Sequence, residues 1–337
     1  MKALQIVKPR EFRILELEKP IPAEDEIVVK LEFAAMCNQN DTKIFYGLYG
    51  DLITYPCDPG VYGHEGVGIV TEVGKDVRDL HEGDRVILMG EGGPMIYREY
   101  VERKAGTVVK IDKRIPAEEC AVLELFGCAH HCMDVAGDVM GKKVGVMGLG
   151  PAGLAIVQML MLRNPAGIIG MDLDGSRRDA AKQLGVEKLY DPSDEAQFQQ
   201  LIDEKIDTVI DATGVPKAML NSFEITRHEV VIFGFTNEPF EVNQSKWFMK
   251  ELVIRNSKVQ SINDLRAVAR LLEEGKIVTK DLISDIMPFE KYAEAVERLY
   301  KQEAIKILLT WEATGGLSAF TGGEGTAPIY GPREARP

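Results

Sequence analysis

The chain has 337 residues, 45% of them hydrophobic and 28% charged, which is typical of a soluble globular protein with room for two domain cores. Its formal net charge of -13 argues against polyanionic partners, and no run of lysine or arginine suggests a face for nucleic acid. No apolar stretch approaches the roughly 20 residues that a membrane helix needs, and the N-terminus starts with a strand pattern. We therefore expect a cytoplasmic protein that binds neither nucleic acid nor a membrane.

Short strands separated by Pro and Gly turns fill the first hundred residues or so. The clearest strand patterns are residues 27–33, 66–73 and 84–88. Many short strands with frequent turns are typical of a β-barrel or a β-sandwich. The sequence therefore predicts an all-β region ahead of the α/β pattern that follows.

Two residues in this β-rich region have the chemistry of zinc ligands. Cys37 follows the first of these strands, and His64 lies between a Pro/Gly-rich loop and the second strand. Thiolate and imidazole suit zinc, and a catalytic zinc needs three protein ligands plus an open position. Cys37 also fits a small buried hydrophobe, and His64 a hydrogen-bonded turn residue. Taken alone, these residues leave both interpretations open.

A glycine turn between a buried strand and an apolar helix predicts nucleotide binding. Residues 142–147 read as the strand, residues 148–153 have the form G-x-G-x-x-G, and residues 154–160 read as the helix. Glycines allow the tight turn and a close approach to a pyrophosphate, while free N–H groups at the helix start face the anion. An ordinary strand-to-helix turn is the alternative. The predicted contact residues are Gly148, Gly150, Pro151, Ala152 and Gly153.

An acidic residue follows where such a motif requires one. Asp172 ends the strand pattern of residues 167–171, nineteen positions after the last glycine of the turn. A carboxylate there hydrogen-bonds the ribose diol and repels a 2′-phosphate, which favours NAD over NADP. Asp174 is an alternative for this role. Arg177 and Arg178 lie nearby and can accept a phosphate, so Arg177 is also a predicted cofactor contact.

The part of the chain after Asp172 predicts a parallel sheet. Strand patterns at residues 208–212 and 229–234 alternate with helical runs, as in a doubly wound sheet. Amphipathic helices follow at residues 265–274 and 288–300.

Two further predictions concern the end of this region. Pro288 is expected to open the second of these helices. A last strand, residues 305–311, is expected to complete a sheet that begins at Met1.

Several motifs occur over nearly all of residues 1–313, in an order and at spacings like those of a known protein family. They are Cys37, Asp41, residues 63–68, residues 83–86, Glu124, residues 148–153, Asp172 and residues 304–309. Together these motifs resemble the zinc-dependent medium-chain dehydrogenase family. The resemblance is specific for the fold because many separate motifs agree, and it says little about the substrate.

The family resemblance implies an α/β fold with two domains. One is a GroES-like β-barrel catalytic domain formed by residues 1–125 and 265–313. The other is a Rossmann domain with a doubly wound parallel sheet, formed by residues 126–264. The glycine-rich residues 314–337 are predicted to be a flexible tail.

By resemblance, Cys37 and His64 are zinc ligands. The third protein position of the family falls on Glu124, where polyol and glucose dehydrogenases carry Glu. Glu65 reaches the metal in some members, so Glu65 and Glu124 stay alternatives, one a direct ligand and the other acting through water or by exchange. Asp41 is expected to orient His64 from outside the ligand set. The expected catalytic residues are Cys37, Asp41, His64 and Glu65.

The chain departs from the family pattern in two places. The four-cysteine loop that holds a structural zinc is absent, so we expect one catalytic zinc and no structural zinc. The hydroxyl that relays the alcohol proton in many members is missing from residues 37–41. Water, Thr42, Tyr46 and Tyr49 are the remaining candidates for that relay.

The resemblance implies reversible hydride transfer between NAD and a secondary alcohol, polyol or sugar hydroxyl, with zinc as the Lewis acid. The alternatives are a zinc-independent, NADPH-linked reductase of the same superfamily and a non-catalytic NAD-binding protein. Because the family commonly forms dimers or tetramers, a homodimer or homotetramer is expected.

Overall fold

The computed structural model describes residues 1–312, so the predicted tail at residues 314–337 lies outside the described residues. Within residues 1–312 the chain divides into two compact units. The first unit comprises Met1–Gly127 and the chain from Ser261 to the end of the described residues, and the second comprises Cys128–Gln260. The domain boundaries at residues 125/126 and 264/265 remain predictions.

Strands and helices occur along the whole of the described chain. The strands are β1 (Lys2–Lys8), β2 (Glu11–Glu16), β3 (Glu26–Ala35), β4 (Glu65–Val73), β5 (Arg85–Leu88), β6 (Tyr100–Lys104), β7 (Val109–Lys110), β8 (Lys143–Met147), β9 (Gly167–Met171), β10 (Lys188–Tyr190), β11 (Ile206–Asp211), β12 (Thr226–Ile232), β13 (Val253–Asn256), β14 (Ile283–Pro288) and β15 (Lys306–Thr310). The helices are α1 (Asn40–Phe45), α2 (Ala117–Cys120), α3 (Leu123–Ala136), α4 (Pro151–Met161), α5 (Gly175–Gln183), α6 (Glu195–Asp203), α7 (Pro216–Ile225), α8 (Ser245–Phe248), α9 (Ile262–Glu273) and α10 (Tyr292–Tyr300).

The main sheet of the first unit has the strand order β14-β15-β3-β4-β5-β7, with β6 paired to β3. Strands β14 and β15 are parallel, whereas β3 pairs antiparallel with β4, β6 and β15. The strands predicted at residues 27–33, 66–73 and 84–88 are confirmed as β3, β4 and β5. The ends of β3 and β4 matter most for function, because Cys37 follows β3 and His64 directly precedes β4.

The predicted pairing of the last strand with the start of the chain is wrong. Strand β15 forms as expected, but it pairs with β3 and β14. Strand β1 pairs instead with its sequence neighbour β2 across a short turn, in which Arg10 has a φ of +65°. A hairpin closes a much shorter loop than a pairing across the whole chain, so its entropic cost is lower.

The second unit is a parallel sheet with the order β10-β9-β8-β11-β12-β13 over the described part of the chain. The predicted strands at residues 208–212 and 229–234 are confirmed as β11 and β12. Strands β8 and β9 lie side by side, with Met147 opposite Met171. The glycine turn after β8 therefore lies beside Asp172 at the carboxyl end of β9, which is where open parallel sheets bind ligands.

The two helices after the second unit differ in how they begin. Helix α9 starts at a capping box, in which the Ser261 side chain accepts from the Asp264 N–H and the Asp264 side chain accepts from the Ser261 N–H. Pro288 ends β14 opposite Thr310 and is the N-cap of a 3-10 turn at Phe289–Lys291. This turn leads directly into α10 at Tyr292, so Pro288 opens the helical segment as predicted, although the α-helix itself begins four residues later.

The core of the first unit includes apolar residues from the sheet and from the buried face of α10. The predicted apolar face of α10 is confirmed, since Tyr292, Ala295, Val296 and Leu299 are buried. No helix in residues 1–312 combines the length and the apolar composition required to cross a bilayer.

Candidate active site

Cys37 lies in the tight connection between β3 and α1. Its backbone N–H donates to Oδ2 of Asp41 at 2.8 Å, and the Asn40 N–H lies 3.5 Å from its Sγ. A backbone N–H beside the sulfur helps to hold it in place, and the thiolate is the form of cysteine that binds metal. The connection after β3 thus fixes both the backbone and the sulfur of this candidate ligand.

His64 is held by a backbone carbonyl. Its Nδ1 lies 2.9 Å from the carbonyl oxygen of Tyr62, so the ring donates from Nδ1 and Nε2 is the nitrogen left to face a metal. Nε2 lies 3.9 Å from Oε1 of Glu65. An imidazole whose other nitrogen is held in this way is suited to ligate a metal through Nε2.

The structure brings Cys37, His64 and Glu65 together. One ligand atom from each of these residues lies within 4.8 Å of the others. Atoms bound to one tetrahedral zinc are roughly 3–4 Å apart, given Zn–S and Zn–N bonds of about 2.3 and 2.0 Å. Sulfur, nitrogen and oxygen donors grouped within 4.8 Å of one another have the chemistry of a zinc site.

Glu65 has a second partner that sequence reasoning missed. The Lys306 ammonium lies 2.8 Å from Oε1 and 2.7 Å from Oε2 of Glu65, and both side chains are 2% exposed. Burial raises the pKa of Glu65 to about 7, while Lys306 acts in the opposite direction. Burial lowers the pKa of Lys306, and the charge of Glu65 raises it. The net change is a rise. The only sequence signal was a lysine inside an otherwise apolar strand pattern.

Glu124 lies outside the group of Cys37, His64 and Glu65 but close enough to act on it. It is 6% exposed, near the start of α3. Burial lowers the pKa of His64, but Cys37, Glu124 and Glu65 together raise it well above its usual range. The charge of Glu124 also adds to the rise in the pKa of Glu65. The charges of Glu65 and Glu124 therefore both act on His64, and the Lys306 ammonium balances part of that negative charge.

Asp41 is fully buried, and its oxygens accept hydrogen bonds from Cys37 N–H, the Tyr97 hydroxyl and the Tyr292 hydroxyl, each at 2.8 Å. Burial raises the pKa of Asp41, and the tyrosine hydroxyls oppose that rise. The donors to Asp41 are thus Cys37 and two tyrosines, whereas Nδ1 of His64 bonds to Tyr62, so Asp41 does not orient His64 through a hydrogen bond to Nδ1 as expected.

The candidate hydroxyls for proton transfer lie in different surroundings. Tyr49 donates to Oδ1 of Asn40 at 2.6 Å, and burial, with a smaller effect of Cys37, raises the pKa of Tyr49 to about 12. Thr42 donates to the carbonyl of Asn38. Tyr46 packs on Tyr300 with ring centroids 4.5 Å apart. Of these hydroxyls, that of Tyr49 is linked through Asn40 to the Cys37 sulfur.

The glycine turn of the second unit requires glycine at two positions. Gly148 has a φ of +88°, which side-chain-bearing residues rarely adopt. A Cβ on Gly153 would lie 1.9 Å from the backbone oxygen of Gly148, so strand β8 and helix α4 approach too closely for any other residue. Pro151 and Ala152 then form the first turn of α4, with Gly150 as its N-cap.

Gly150 borders open space at the start of α4. A Cβ there would meet nothing nearer than Nη1 of Arg177, at 3.9 Å. This open space at a helix N-terminus, with a guanidinium on its border, fits the pyrophosphate of a dinucleotide. The residues present therefore fit the predicted cofactor.

Asp172 is 8% exposed beside the glycine turn. Its Oδ2 accepts from the Leu149 N–H at 2.7 Å and lies 3.7 Å from Nη1 of Arg177. Asp174, the rival acid, instead caps α5 by accepting from Ser176 N–H. Arg178 donates to the carbonyl of Asp172 and lies 3.6 Å from Asp191. The geometry thus places Asp172 and Arg177, rather than Asp174, at the turn.

Comparison with known proteins identifies both parts of the chain. Residues 23–148 match the alcohol dehydrogenase GroES-like domain, and residues 151–274 match the zinc-binding dehydrogenase domain. The chain is 27% identical to D-arabinitol dehydrogenase 1 of Uromyces fabae, over 91% of this chain and 96% of that protein. It is 25% identical to sorbitol dehydrogenase of Gallus gallus, over 93% of this chain and 97% of that protein.

A solved structure shows the same fold. It is the rspB alcohol dehydrogenase of E. coli CFT073 in complex with NADH, with a TM-score of 0.82 and 26% identity over 92% of this chain and 99% of that one. The GroES-like and Rossmann-type folds predicted from the sequence are therefore confirmed. The two domain matches, which together span most of the chain, and the full-length relatives place this protein in the zinc-dependent medium-chain dehydrogenase family.

Proposed function

We propose that this protein is a zinc-dependent oxidoreductase that transfers hydride between NAD and a secondary alcohol or polyol. The observation that carries the proposal is the group of Cys37, His64 and Glu65, whose ligand atoms lie within 4.8 Å of one another. The names of its relatives, D-arabinitol dehydrogenase and sorbitol dehydrogenase, support a polyol as the substrate class.

The third direct zinc ligand is proposed to be Glu65 or Glu124, with the other acting through water or by exchange. Glu65 is committed to the ammonium of Lys306, and both side chains are 2% exposed. Breaking a buried pair leaves an uncompensated charge and typically costs about 3–5 kcal/mol. Glu124 is buried nearby, and its charge acts on the pKa of His64. The grouping of ligand atoms within 4.8 Å favours Glu65, whereas the buried pair of Glu65 with Lys306 favours Glu124.

When bound, zinc supplies Lewis acidity that lowers the pKa of a substrate hydroxyl, and NAD supplies the hydride acceptor. The chain itself fixes the ligands: Tyr62 orients His64 through Nδ1, and Asp41 holds the backbone of Cys37. Tyr49, with a pKa of about 12, keeps its proton at neutral pH and acts as a hydrogen-bond donor to Asn40. The relay of the alcohol proton is proposed to use water, Thr42, Tyr46 or Tyr49.

The cofactor preference is proposed to be NAD. Asp172 places a carboxylate beside the glycine turn, where it would accept hydrogen bonds from the ribose hydroxyls and repel a 2′-phosphate. Arg177 lies between this carboxylate and the open space at Gly150, so its charge is directed to the pyrophosphate.

One catalytic zinc and no structural zinc are proposed for each chain, because residues 89–99 contain no cysteine.

A homodimer or homotetramer is also proposed. Strand β13 lies at the edge of its sheet with each of its residues exposed, including Val253 (43%) and Ile254 (39%). An exposed apolar edge strand is a natural site for pairing with a second copy. Location in the cytoplasm stays a prediction.

The proposal is tested by measuring zinc content and NAD reduction on the same sample, with D-arabinitol, sorbitol and 2,3-butanediol as substrates. We expect about one zinc per chain and turnover of at least one polyol. Cys37→Ala should lose zinc and turnover together while NAD still binds. Cys57→Ala, which removes a buried thiol elsewhere in the first unit, is the matched control and should keep both.

Two results would contradict the proposal. Full turnover by zinc-free Cys37→Ala, especially with NADPH and an activated alkene, would favour a zinc-independent reductase. Tight NAD binding with neither zinc nor turnover would favour a non-catalytic NAD-binding protein.

A further inference from the structure

A buried hydrogen-bond cluster lies behind the two metal-binding loops of the first unit. It consists of Asp41, Tyr97 and Tyr292, which we call the Asp41 clamp, and each of its side chains is 0% exposed. Both tyrosine hydroxyls donate to Asp41 at 2.8 Å, one to each carboxylate oxygen. A buried carboxylate that accepts a donor on each oxygen is held in one orientation.

The clamp is attached to the Cys37 loop through Asp41. Oδ2 of Asp41 accepts from the Cys37 N–H at 2.8 Å, and the Asp41 N–H donates to the Cys37 carbonyl at 3.0 Å. The sulfur ligand therefore belongs to a residue whose N–H and carbonyl are both bonded to Asp41. Any rotation of the Asp41 carboxylate shifts the backbone that carries this sulfur.

The clamp is attached to the His64 loop through Tyr97. The Tyr97 ring packs so closely on Gly63 that a Cβ there would lie 2.2 Å from the ring. Gly63 directly precedes His64, and its carbonyl accepts from the Ile96 N–H at 2.8 Å. One tyrosine thus touches the backbone that carries the imidazole and bonds to the carboxylate that holds the thiolate.

Tyr292 closes the clamp from a distant part of the chain. It lies at the start of α10, 251 residues after Asp41 in sequence. Its ring packs edge-on against Tyr97, with ring centroids 5.9 Å apart, and against Phe45 of α1 at 5.7 Å. The rings fill the core, whereas each hydroxyl bonds to Asp41.

We propose that Asp41, Tyr97 and Tyr292 are positioning residues that set the separation of the Cys37 sulfur and the His64 imidazole for zinc. This inference rests on the proposed function, because it assigns the clamp to the same metal site. Groups behind the ligands typically change metal affinity by about 10- to 100-fold when removed. The hydroxyls of Tyr97 and Tyr292 accordingly determine zinc affinity without touching substrate.

The test uses the purified full-length protein and phenylalanine variants, which keep the rings and remove only the hydroxyls. Zinc affinity is measured by competition with a chelator, and the cobalt-substituted protein is measured by visible absorption. We expect Tyr97→Phe and Tyr292→Phe each to weaken zinc about 10-fold, and the double variant up to about 100-fold. The sulfur-to-cobalt and ligand-field bands should shift in the same order.

Tyr55→Phe is the matched control. Its hydroxyl bonds to the carbonyl of Ile44 in α1 rather than to Asp41. It removes a tyrosine hydroxyl of the same unit and should leave zinc affinity and the cobalt spectrum unchanged.

The outcomes separate the two proposals. A double variant that binds zinc as tightly as the wild-type protein, with the same cobalt spectrum, overturns the positioning role and leaves the proposed function intact. A wild-type protein that binds no zinc overturns both. If the double variant does not fold, the two single variants decide the question, since each retains one hydroxyl on Asp41.

Discussion

The ammonium of Lys306 lies 2.8 Å from Oε1 of Glu65, and neither side chain is more than 2% exposed. Strand β15 thus carries a buried cation to the residue next to His64. Removing one member of a charge pair buried in this way lowers the stability of the fold strongly, because no solvent replaces the lost partner of the remaining charge.

Lys306→Met should therefore lower the free energy of unfolding by about 3–5 kcal/mol in zinc-free protein. Urea denaturation measures this difference. Adding Glu65→Gln to the variant should recover much of the loss, because it removes the unpaired carboxylate.

Lys30→Met is the control for Lys306→Met. Lys30 pairs with Glu312 at 3.1 Å, but the side chains are 46% and 69% exposed, so we expect a loss of at most about 1 kcal/mol. Equal losses for Lys30→Met and Lys306→Met would contradict the interpretation of Glu65 and Lys306 as a buried pair.

The sequence predicts the nucleotide turn well because that turn depends on local constraints. The positive φ of Gly148 and the close approach at Gly153 involve residues within one strand-turn-helix segment. The Glu65–Lys306 pair joins residues 241 positions apart, and a lysine in a strand pattern indicates nothing about its partner. For the same reason the pairing of β15 with β3 and the donors of Asp41 were not predictable from periodicity.

Two glycine substitutions in the turn should have opposite consequences. Gly153→Ala places a Cβ 1.9 Å from the Gly148 oxygen, so it should lower the melting temperature strongly. Gly150→Ala meets nothing nearer than 3.9 Å and has an ordinary φ of -66°, so the protein should fold normally. Its methyl group would nevertheless enter the proposed pyrophosphate space and should weaken NAD binding about 10-fold or more, measured by calorimetry.

Gly167→Ala serves as the control for both glycine variants, because a Cβ there meets nothing within 4 Å. It should change neither the melting temperature nor NAD affinity by much. Normal NAD affinity in Gly150→Ala would argue against the proposed position of the pyrophosphate.

Glu204 should make the stability of the second unit depend on acid pH. Burial raises its pKa, but hydrogen bonds from Lys188, Tyr190 and Lys143 lower it more, for a net fall below the usual 4.5. A carboxyl whose folded-state pKa is below its unfolded value stabilises the fold above the unfolded pKa. That stabilisation is lost as the pH falls through the folded-state value.

Glu204→Gln should therefore lower the melting temperature at pH 7 and have progressively less effect as the pH falls below 4.5. Thermal unfolding over this range measures the difference. Glu187→Gln, at an exposed position of the same unit, should show no such dependence. A constant difference between wild type and Glu204→Gln at every pH would contradict the ionic explanation.

Asp172 should decide between NAD and NADP. Its carboxylate lies at the glycine turn, bonded to the Leu149 N–H, with Arg177 3.7 Å away. Asp172→Ser removes the charge that repels a 2′-phosphate and leaves Arg177 to attract it. We expect NAD affinity to fall and the NADP-to-NAD ratio of kcat/KM to rise at least about 10-fold, which corresponds to about 1.4 kcal/mol.

Asp174→Ala separates this role from that of the neighbouring acid. Asp174 caps α5 through Ser176, so its loss should cost about 1 kcal/mol of stability and leave the cofactor ratio unchanged. A ratio that changes in Asp174→Ala and not in Asp172→Ser would assign the ribose to Asp174. The two acids should differ in this way because Asp172 is bonded to the turn itself, whereas Asp174 is bonded to the helix that follows.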